Sequence, residues 1–84
     1  MTVLNIFPNP TNNLLSIEFE LSVASKVFLS IFNISGQEVH QIFNGKKMKG
    51  MYKFKWNSKD LPNGVYFIKL QIDNRIIIQK ALKH

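Results

Sequence analysis

The sequence predicts an all-β protein, an antiparallel β-sandwich of the immunoglobulin-like kind with about seven strands. Apolar residues recur at every second position in several short segments, which is the period of a strand with one buried and one solvated face. Turn-forming residues separate these segments at intervals of about 8–12 positions. No window of a dozen residues shows the 3.6-residue period of an amphipathic helix. A small barrel built from the same strands is the alternative architecture.

The chain opens with a short edge strand, expected over Val3–Phe7, and a stiff corner at Pro8-Asn9-Pro10. Each proline fixes φ, removes a backbone donor and disfavours helix at the residue before it. The corner therefore cannot lie inside a sheet. We expect it to lead, through two further asparagines that tolerate left-handed backbone, into a long strand that starts at Leu14.

Four of the following segments alternate cleanly between apolar and polar residues, and their apolar positions are the predicted core: Leu15, Ile17, Phe19, Leu21; Val27, Leu29, Ile31; Tyr52, Phe54, Trp56; Tyr66, Ile68, Leu70, Ile72. Phe28 and Phe32 lie on the opposite parity of the second of these segments, so we expect that strand to be covered on both faces. Gln37–Phe43 predicts a weaker strand, and the isoleucine-rich run Arg75–Leu82 predicts the last one.

Turns are predicted where Gly, Pro, Asn and Asp cluster: Ser35-Gly36, Asn44-Gly45, Gly50, Pro62-Asn63-Gly64 and Asp73-Asn74. Because Asp and Asn tolerate the positive φ of tight hairpins, Asp73-Asn74 between two apolar runs indicates a two-residue turn. Lys46-Lys47-Met48-Lys49 is expected to form an exposed basic loop tip.

Length and composition indicate one small domain of 84 residues. The chain has no cysteine, so no disulfide stabilises it. Its net charge of +6 favours anionic partners, such as nucleic acid, an anionic glycolipid or an acidic protein surface. The longest apolar run, Ile76–Ile78, is far too short for a membrane-spanning helix, so no membrane insertion is expected. The first residues do not resemble a signal peptide, and a role outside the cytoplasm would make the chain the tail of a longer protein.

No residue pattern supports catalysis or a bound cofactor. His40 and His84 are far apart and have no Cys, Asp or Glu at metal-ligand spacing. Glu18 and Glu20 share a solvated strand face, whereas a carboxylate pair that does acid–base work needs a sheltered site. Serines and glycines form neither a nucleophile elbow nor a phosphate-binding loop. We therefore expect a protein that is not an enzyme and that needs no metal or cofactor.

Two features suggest binding. Tyr52, Phe54 and Trp56 could form an aromatic platform for nucleic acid or carbohydrate, but their parity opposes that of Lys53 and Lys55 and predicts burial. The second feature is the basic carboxyl end, which an exposed strand edge could present to another protein. A carbohydrate-binding or adhesion module remains the alternative function, and nucleic-acid binding is the weakest reading.

Several motifs recur together in a fixed order. They are Phe7-Pro8-Asn9-Pro10-Thr11-Asn12, Ile17-x-Phe19, Val27-x-Leu29-x-Ile31-Phe32-Asn33-x-x-Gly36-x-x-Val39, Trp56, Leu61-Pro62-Asn63-Gly64-Val65-Tyr66-Phe67-x-x-Leu70 and a basic carboxyl end. In this order and spacing, the chain resembles the type A C-terminal sorting domain of the type IX secretion system of Bacteroidetes. The resemblance extends over residues 6–83. Asn13 departs from the glycine that many members carry at this position, and an asparagine tolerates the same left-handed turn.

The resemblance implies a secretion signal at the carboxyl end of a cargo protein. Such a cargo crosses the periplasm, and the folded domain is recognised for export through the outer membrane to the cell surface or the medium. The implied partners are the type IX translocon, a shuttle, a sortase-like peptidase that removes the domain, and the cargo domain that precedes it. No nucleic-acid partner is expected, and self-association through edge strands is left open.

The resemblance also assigns motif residues: Pro8, Asn9, Pro10, Gly36, Gly64, Tyr66, Lys80 and Lys83. We expect the last hairpin, Val65–Lys83, to be the chief contact with the export machinery. In this hypothesis, its edge backbone and the exposed basic pair Lys80 and Lys83 meet an acidic or β-edge site.

Overall fold

The computed structural model describes residues 4–84, and this range contains seven strands and no helix. The strands are β1 (Asn5–Phe7), β2 (Leu14–Leu21), β3 (Ser25–Asn33), β4 (Glu38–Lys47), β5 (Gly50–Asn57), β6 (Gly64–Ile72) and β7 (Arg75–Lys83). They form a three-stranded sheet in the order β1-β2-β5 and a four-stranded sheet in the order β4-β3-β6-β7. Every strand pairing is antiparallel. The all-β prediction is confirmed, and two separate sheets make the fold a sandwich instead of a barrel.

The core lies between the two sheets and is built from the inward parity of each strand. The buried hydrophobic residues include every predicted core position except Tyr52 and Phe54, which are half-buried and pack against the core. Leu4 and Ala81 complete the core near the chain ends. Within the described range, no helix is long and apolar enough to cross a membrane.

One predicted turn is wrong. Asn44-Gly45 lies inside β4, which continues to Lys47. The start of β3 supplies the reason, because Val27 pairs with Gly45 and Phe28 pairs with Asn44, so the ladder outweighs the local turn preference. Only Met48 and Lys49 connect β4 to β5, and the first two lysines of the expected loop tip belong to a strand.

The other tight turns follow the prediction, with side chains that complete them. Gly36 has a φ of +83°, and the Asn33 side chain accepts two backbone hydrogen bonds across this turn, each 3.0 Å long. Asp73 has a φ of +52° in the two-residue hairpin between β6 and β7. Its carboxylate accepts a 3.0 Å bond from the backbone N–H of Lys26. In the edge strand expected over Val3–Phe7, Val3 lies outside the described residues, and β1 begins at Asn5.

The expectation that β3 is covered on both faces is met only in part, at Ser30, which lies on the outer face and is fully buried. Its inner face packs on the core through Val27, Leu29 and Ile31, all fully buried. Phe28 and Phe32 are only half-buried on the outer face, because residues 4–84 form two layers and no third layer covers the four-stranded sheet.

Candidate functional site

The last strand, β7, lies at one end of the four-stranded sheet and pairs with β6 along one side, from Ile72↔Arg75 to Gly64↔Lys83. The opposite side of an end strand presents unpaired N–H and C=O groups at every second residue. In β7 these are the groups of even-numbered residues, because the backbone of Lys80 and Leu82 bonds outward.

The opening corner covers part of this edge. The Asn9 side-chain amide donates to the carbonyl of Lys80, and the N–H of Leu82 donates to Asn9 Oδ1, each at 3.0 Å. Thr11 then continues the pairing: its N–H donates to Leu82 O at 2.8 Å, and His84 N–H donates to Thr11 O at 3.0 Å. We call these contacts between Asn9–Thr11 and Lys80–His84 the edge cap.

Local chemistry explains why this segment suits the edge. An asparagine side chain carries the donor and acceptor of a peptide group, so Asn9 replaces one peptide of a neighbouring strand. Pro8 and Pro10 flank it, both follow cis peptide bonds and both are exposed. Since each proline lacks an N–H and fixes φ, the corner turns beside the sheet and does not extend it. Thr11 is buried, and its hydroxyl donates to Leu14 O at 2.6 Å.

Lys83 does not lie at an exposed basic end, as the sequence suggested. It falls on the inward parity of β7 and is only 5% exposed. Its ammonium donates to the backbone carbonyls of Ser58 and Leu61, in the connection between β5 and β6. Lys80, on the outward parity, is exposed. The prediction of exposure therefore holds for Lys80 and is wrong for Lys83.

The connection from β5 to β6 is closed by Tyr66. Its hydroxyl donates to Pro62 O at 2.6 Å, and its ring packs edge-on against Trp56 with centroids 5.3 Å apart. A tyrosine near the start of this strand that bonds to the backbone a few residues upstream is the tyrosine corner of immunoglobulin-like sandwiches. Gly64, with a φ of +146°, starts β6 in a conformation that other residues rarely adopt.

The structure thus brings together most of the motif residues around β7 and the neighbouring corner. Gly36 is different, because it lies in the turn between β3 and β4. That turn faces the Tyr66 corner across a shallow cavity of about 270 Å³, which Ser35, Val39 and Pro62 help to line.

A comparison of the sequence with protein families gives a match over nearly the whole chain. The model of the secretion system C-terminal sorting domain matches residues 5–84, a range that contains all seven strands. The chain belongs to this family. A search of curated proteins gave no match. The sorting domain is a carboxyl-terminal signal for type IX secretion in Bacteroidetes, attached to an amino-terminal cargo and recognised by the type IX machinery for export to the cell surface or the extracellular space.

Sequence reasoning missed the contacts that hold β7 in the sorting domain. Thr11 and the carbonyls of Ser58 and Leu61 did not stand out as site groups. A signal was present for Asn9, because an asparagine between two prolines cannot join a regular ladder and still offers a peptide-like group. For Lys83, the signal was its inward parity in the last strand.

Within residues 4–84, the histidines and aromatic residues singled out in the sequence lie in the following places. His40 and His84 are exposed, and residues 4–84 contain no cluster of three metal-ligating side chains. Trp56 is 3% exposed. The rings of Phe43 and Tyr52 lie under the ammonium of Lys47, which is 4.5 and 4.9 Å from their centroids.

Proposed function

We propose that the export machinery reads this domain as a folded surface assembled around β7. The domain then serves as the secretion signal of a longer protein, of which these 84 residues are the sorting domain. The cargo passes through the periplasm, and a translocon and shuttle carry it across the outer membrane. A sortase-like peptidase removes the domain, which itself has no catalytic role.

The family match over residues 5–84 carries this proposal. The structure supports the reading of a folded signal, because the motif residues interact with one another only after folding. Asn9 contacts Lys80 across 71 sequence positions. Lys83 contacts the Ser58–Leu61 connection. A linear peptide ending in the same basic residues would present neither contact.

The burial pattern refines which groups of the last hairpin are available to the machinery. Lys83 is buried, and the backbone edge of Lys80–His84 is occupied by the edge cap. Available groups are the Lys80 ammonium and the outward side chains of β7. The Val65–Lys83 hairpin thus offers side chains of its outer face for contact, in addition to the free part of its edge.

A fusion assay tests the proposed function. Residues 1–84 are placed behind a fluorescent protein with a periplasmic signal peptide and expressed in a Bacteroidetes host. We expect fluorescence at the cell surface or in the medium, and its loss in a host without the type IX translocon. A protease-resistance assay on the periplasmic fraction shows whether any retained fusion is folded. Retention of a folded fusion in the translocon-containing host would contradict the proposal.

A further inference from the structure

The outer face of the four-stranded sheet carries apolar residues on three of its strands, whereas the outward positions of β4 are polar, namely Glu38, Gln41 and Asn44. Seven outward residues of β3, β6 and β7 are apolar, and Ser30, Lys69, Gln71 and Lys80 lie among them; we call the seven the apolar face: Phe28, Phe32, Val65, Phe67, Ile76, Ile78 and Leu82. Ile76 is 53% exposed, Ile78 57% and Leu82 41%. Phe32 lies directly opposite Phe67, and a depression of about 370 Å³ opens between these rings and Ile78.

The other sheet shows the usual composition of a solvated face. There, outward positions of β2 and β5 include Ser16, Glu18, Lys53 and Lys55, and Glu18 pairs with Lys53 at 3.9 Å. Single apolar residues such as Leu14 and Met51 are scattered on it, which is normal for any surface. Grouped apolar residues are therefore found on the outer face of the four-stranded sheet and not on that of the other sheet. This grouping explains why the sequence of β3 resembles that of a strand covered on both sides.

Cationic side chains lie within the apolar face. Lys69 is half-buried beside Ile78 in the pairing register, and its ammonium is 5.7 Å from the centroid of the Phe32 ring. Lys80 is paired with Phe67 and is exposed. One carboxylate, that of Glu38, lies at the β4 border of this face, where it accepts a hydrogen bond from the Ser30 hydroxyl. The two ammonium groups outnumber it, and an apolar surface with excess positive charge complements a protein surface that has apolar side chains beside carboxylates.

We propose that the apolar face docks an apolar, acidic surface of a protein of the type IX machinery. This inference rests on the proposed function and names the surface through which recognition occurs. Two copies of this chain are a poor alternative, because the pairing would place Lys69 and Lys80 of both copies together, in molecules of net charge +6.

The size of the apolar face fits a reversible contact. Three strands spaced about 4.8 Å apart, each contributing about seven residues at 3.3 Å, cover roughly 300 Å². A stable complex buries about 800 Å² on each partner. Docking on this face alone is therefore weak, which suits a passenger that must be released after transport.

Matched pairs of substitutions test the proposal in the fusion assay. Ile76→Thr with Ile78→Thr alters the apolar face, and Leu14→Thr with Met51→Thr alters the opposite sheet at residues that are 53% and 59% exposed. Threonine favours strands, so both doubles retain the fold. We expect export of the first double to fall about tenfold, equivalent to ~1.4 kcal/mol of binding free energy, while the second double is exported normally. Equal melting temperatures of the two doubles confirm that folding is not the cause.

The charge is tested in the same way. Lys80→Glu places a carboxylate in the apolar face, whereas Lys55→Glu makes the same change on the opposite sheet, at an exposed residue paired with Ser16. We expect only Lys80→Glu to reduce export. Normal export of Lys80→Glu would remove the argument for an acidic partner and overturn the proposal.

Photo-crosslinking identifies the occupant. A benzophenone amino acid replaces Ile78 in one fusion and Met51 in another, and cells are irradiated during export. A crosslink from position 78, but not 51, to a type IX protein through a peptide rich in apolar and acidic residues is the expected result. A crosslink to a second copy, to the cargo or to lipopolysaccharide overturns the proposal, as does its absence. Retention of the unmodified fusion contradicts the proposed function itself, whereas normal export of Ile76→Thr/Ile78→Thr contradicts only the docking face.

Discussion

Lys80 and Lys83 lie three residues apart in one strand and have opposite environments. The alternation of strand side chains directs Lys80 to the outer face and Lys83 to the inner one. Two carbonyls in the connection after β5 accept hydrogen bonds from the Lys83 ammonium, and these bonds offset part of the cost of burying the cation. Lys83 therefore contributes to the packing of the domain, and Lys80 is the lysine that is available for electrostatic recognition.

Lys83→Met is expected to lower the free energy of unfolding by about 2–4 kcal/mol, because two hydrogen bonds to a charged donor are lost and two carbonyls lose their partner. Lys80→Met is the matched control and should change it by no more than about 0.5 kcal/mol. Urea unfolding followed by Trp56 fluorescence measures both. Equal losses for the two variants would contradict the internal role of Lys83.

At the residue scale, parity alone predicted most of the interior, including Leu15, Ile17 and Phe19. The burial of Lys83 was missed because the predicted last strand stopped at Leu82, one residue short, although the parity of Lys83 is inward. The carbonyls that bind its ammonium belong to a connection 22 to 25 residues earlier. A sequence read strand by strand contains no signal for such a distant pairing.

Edge strands need protection from unwanted pairing, and β7 is protected along only part of its length. The edge cap covers residues 80–84, while the outward N–H groups of Ile76 and Ile78 have no partner among the described residues. Covering an edge with a short non-strand segment is one of the ways in which natural sheets avoid aggregation.

Removing the cap should be visible at a single amide. We expect Asn9→Ala to lower the free energy of unfolding by about 1–2 kcal/mol, the sum of two exposed hydrogen bonds, and to accelerate hydrogen exchange at Leu82. Asn12→Ala, in the same corner, serves as the control. NMR-detected exchange measures both variants, and unchanged protection of Leu82 in Asn9→Ala would mean that the side chain does not cap the strand.

At the element scale, turn chemistry predicted the hairpins at Gly36 and Asp73, but it also predicted a turn at Asn44-Gly45 that lies inside β4. Asn44-Gly45 has the composition of a tight turn, yet pairing with Val27 and Phe28 keeps it in the ladder. The outcome between a local turn preference and pairing with another strand depends on tertiary contacts. A short stretch of sequence around the turn does not contain this information.

The whole sandwich determines whether its aromatic residues are available for ligands. Trp56 lies between the sheets against Tyr66, so iodide should quench its fluorescence much less in the folded domain than after unfolding in urea. This measurement checks the carbohydrate-binding alternative, which needs an accessible ring. Quenching as efficient as that of the unfolded chain would favour that alternative.

At the scale of the molecule, the sequence supported an all-β sandwich and its family, since periodicity, turns and motif order agree. The two-layer arrangement of the sheets leaves Phe28 and Phe32 only half-buried, and this was not foreseeable from the sequence. The sequence pattern of an apolar residue is the same whether the residue is buried by its own chain or by a partner.

The edge cap also links the two ends of the described chain, so it cannot form until both have been synthesised. Asn9 and Thr11 find their partners only in residues 80–84, near the other end of the described chain. A ribosome must therefore translate nearly the whole domain before its first corner has anything to bind. A cargo truncated before Lys80 would lack this closure, and the Ser58–Leu61 connection would lack the Lys83 ammonium. The opening corner can therefore close only in cargo that has been translated through the last strand.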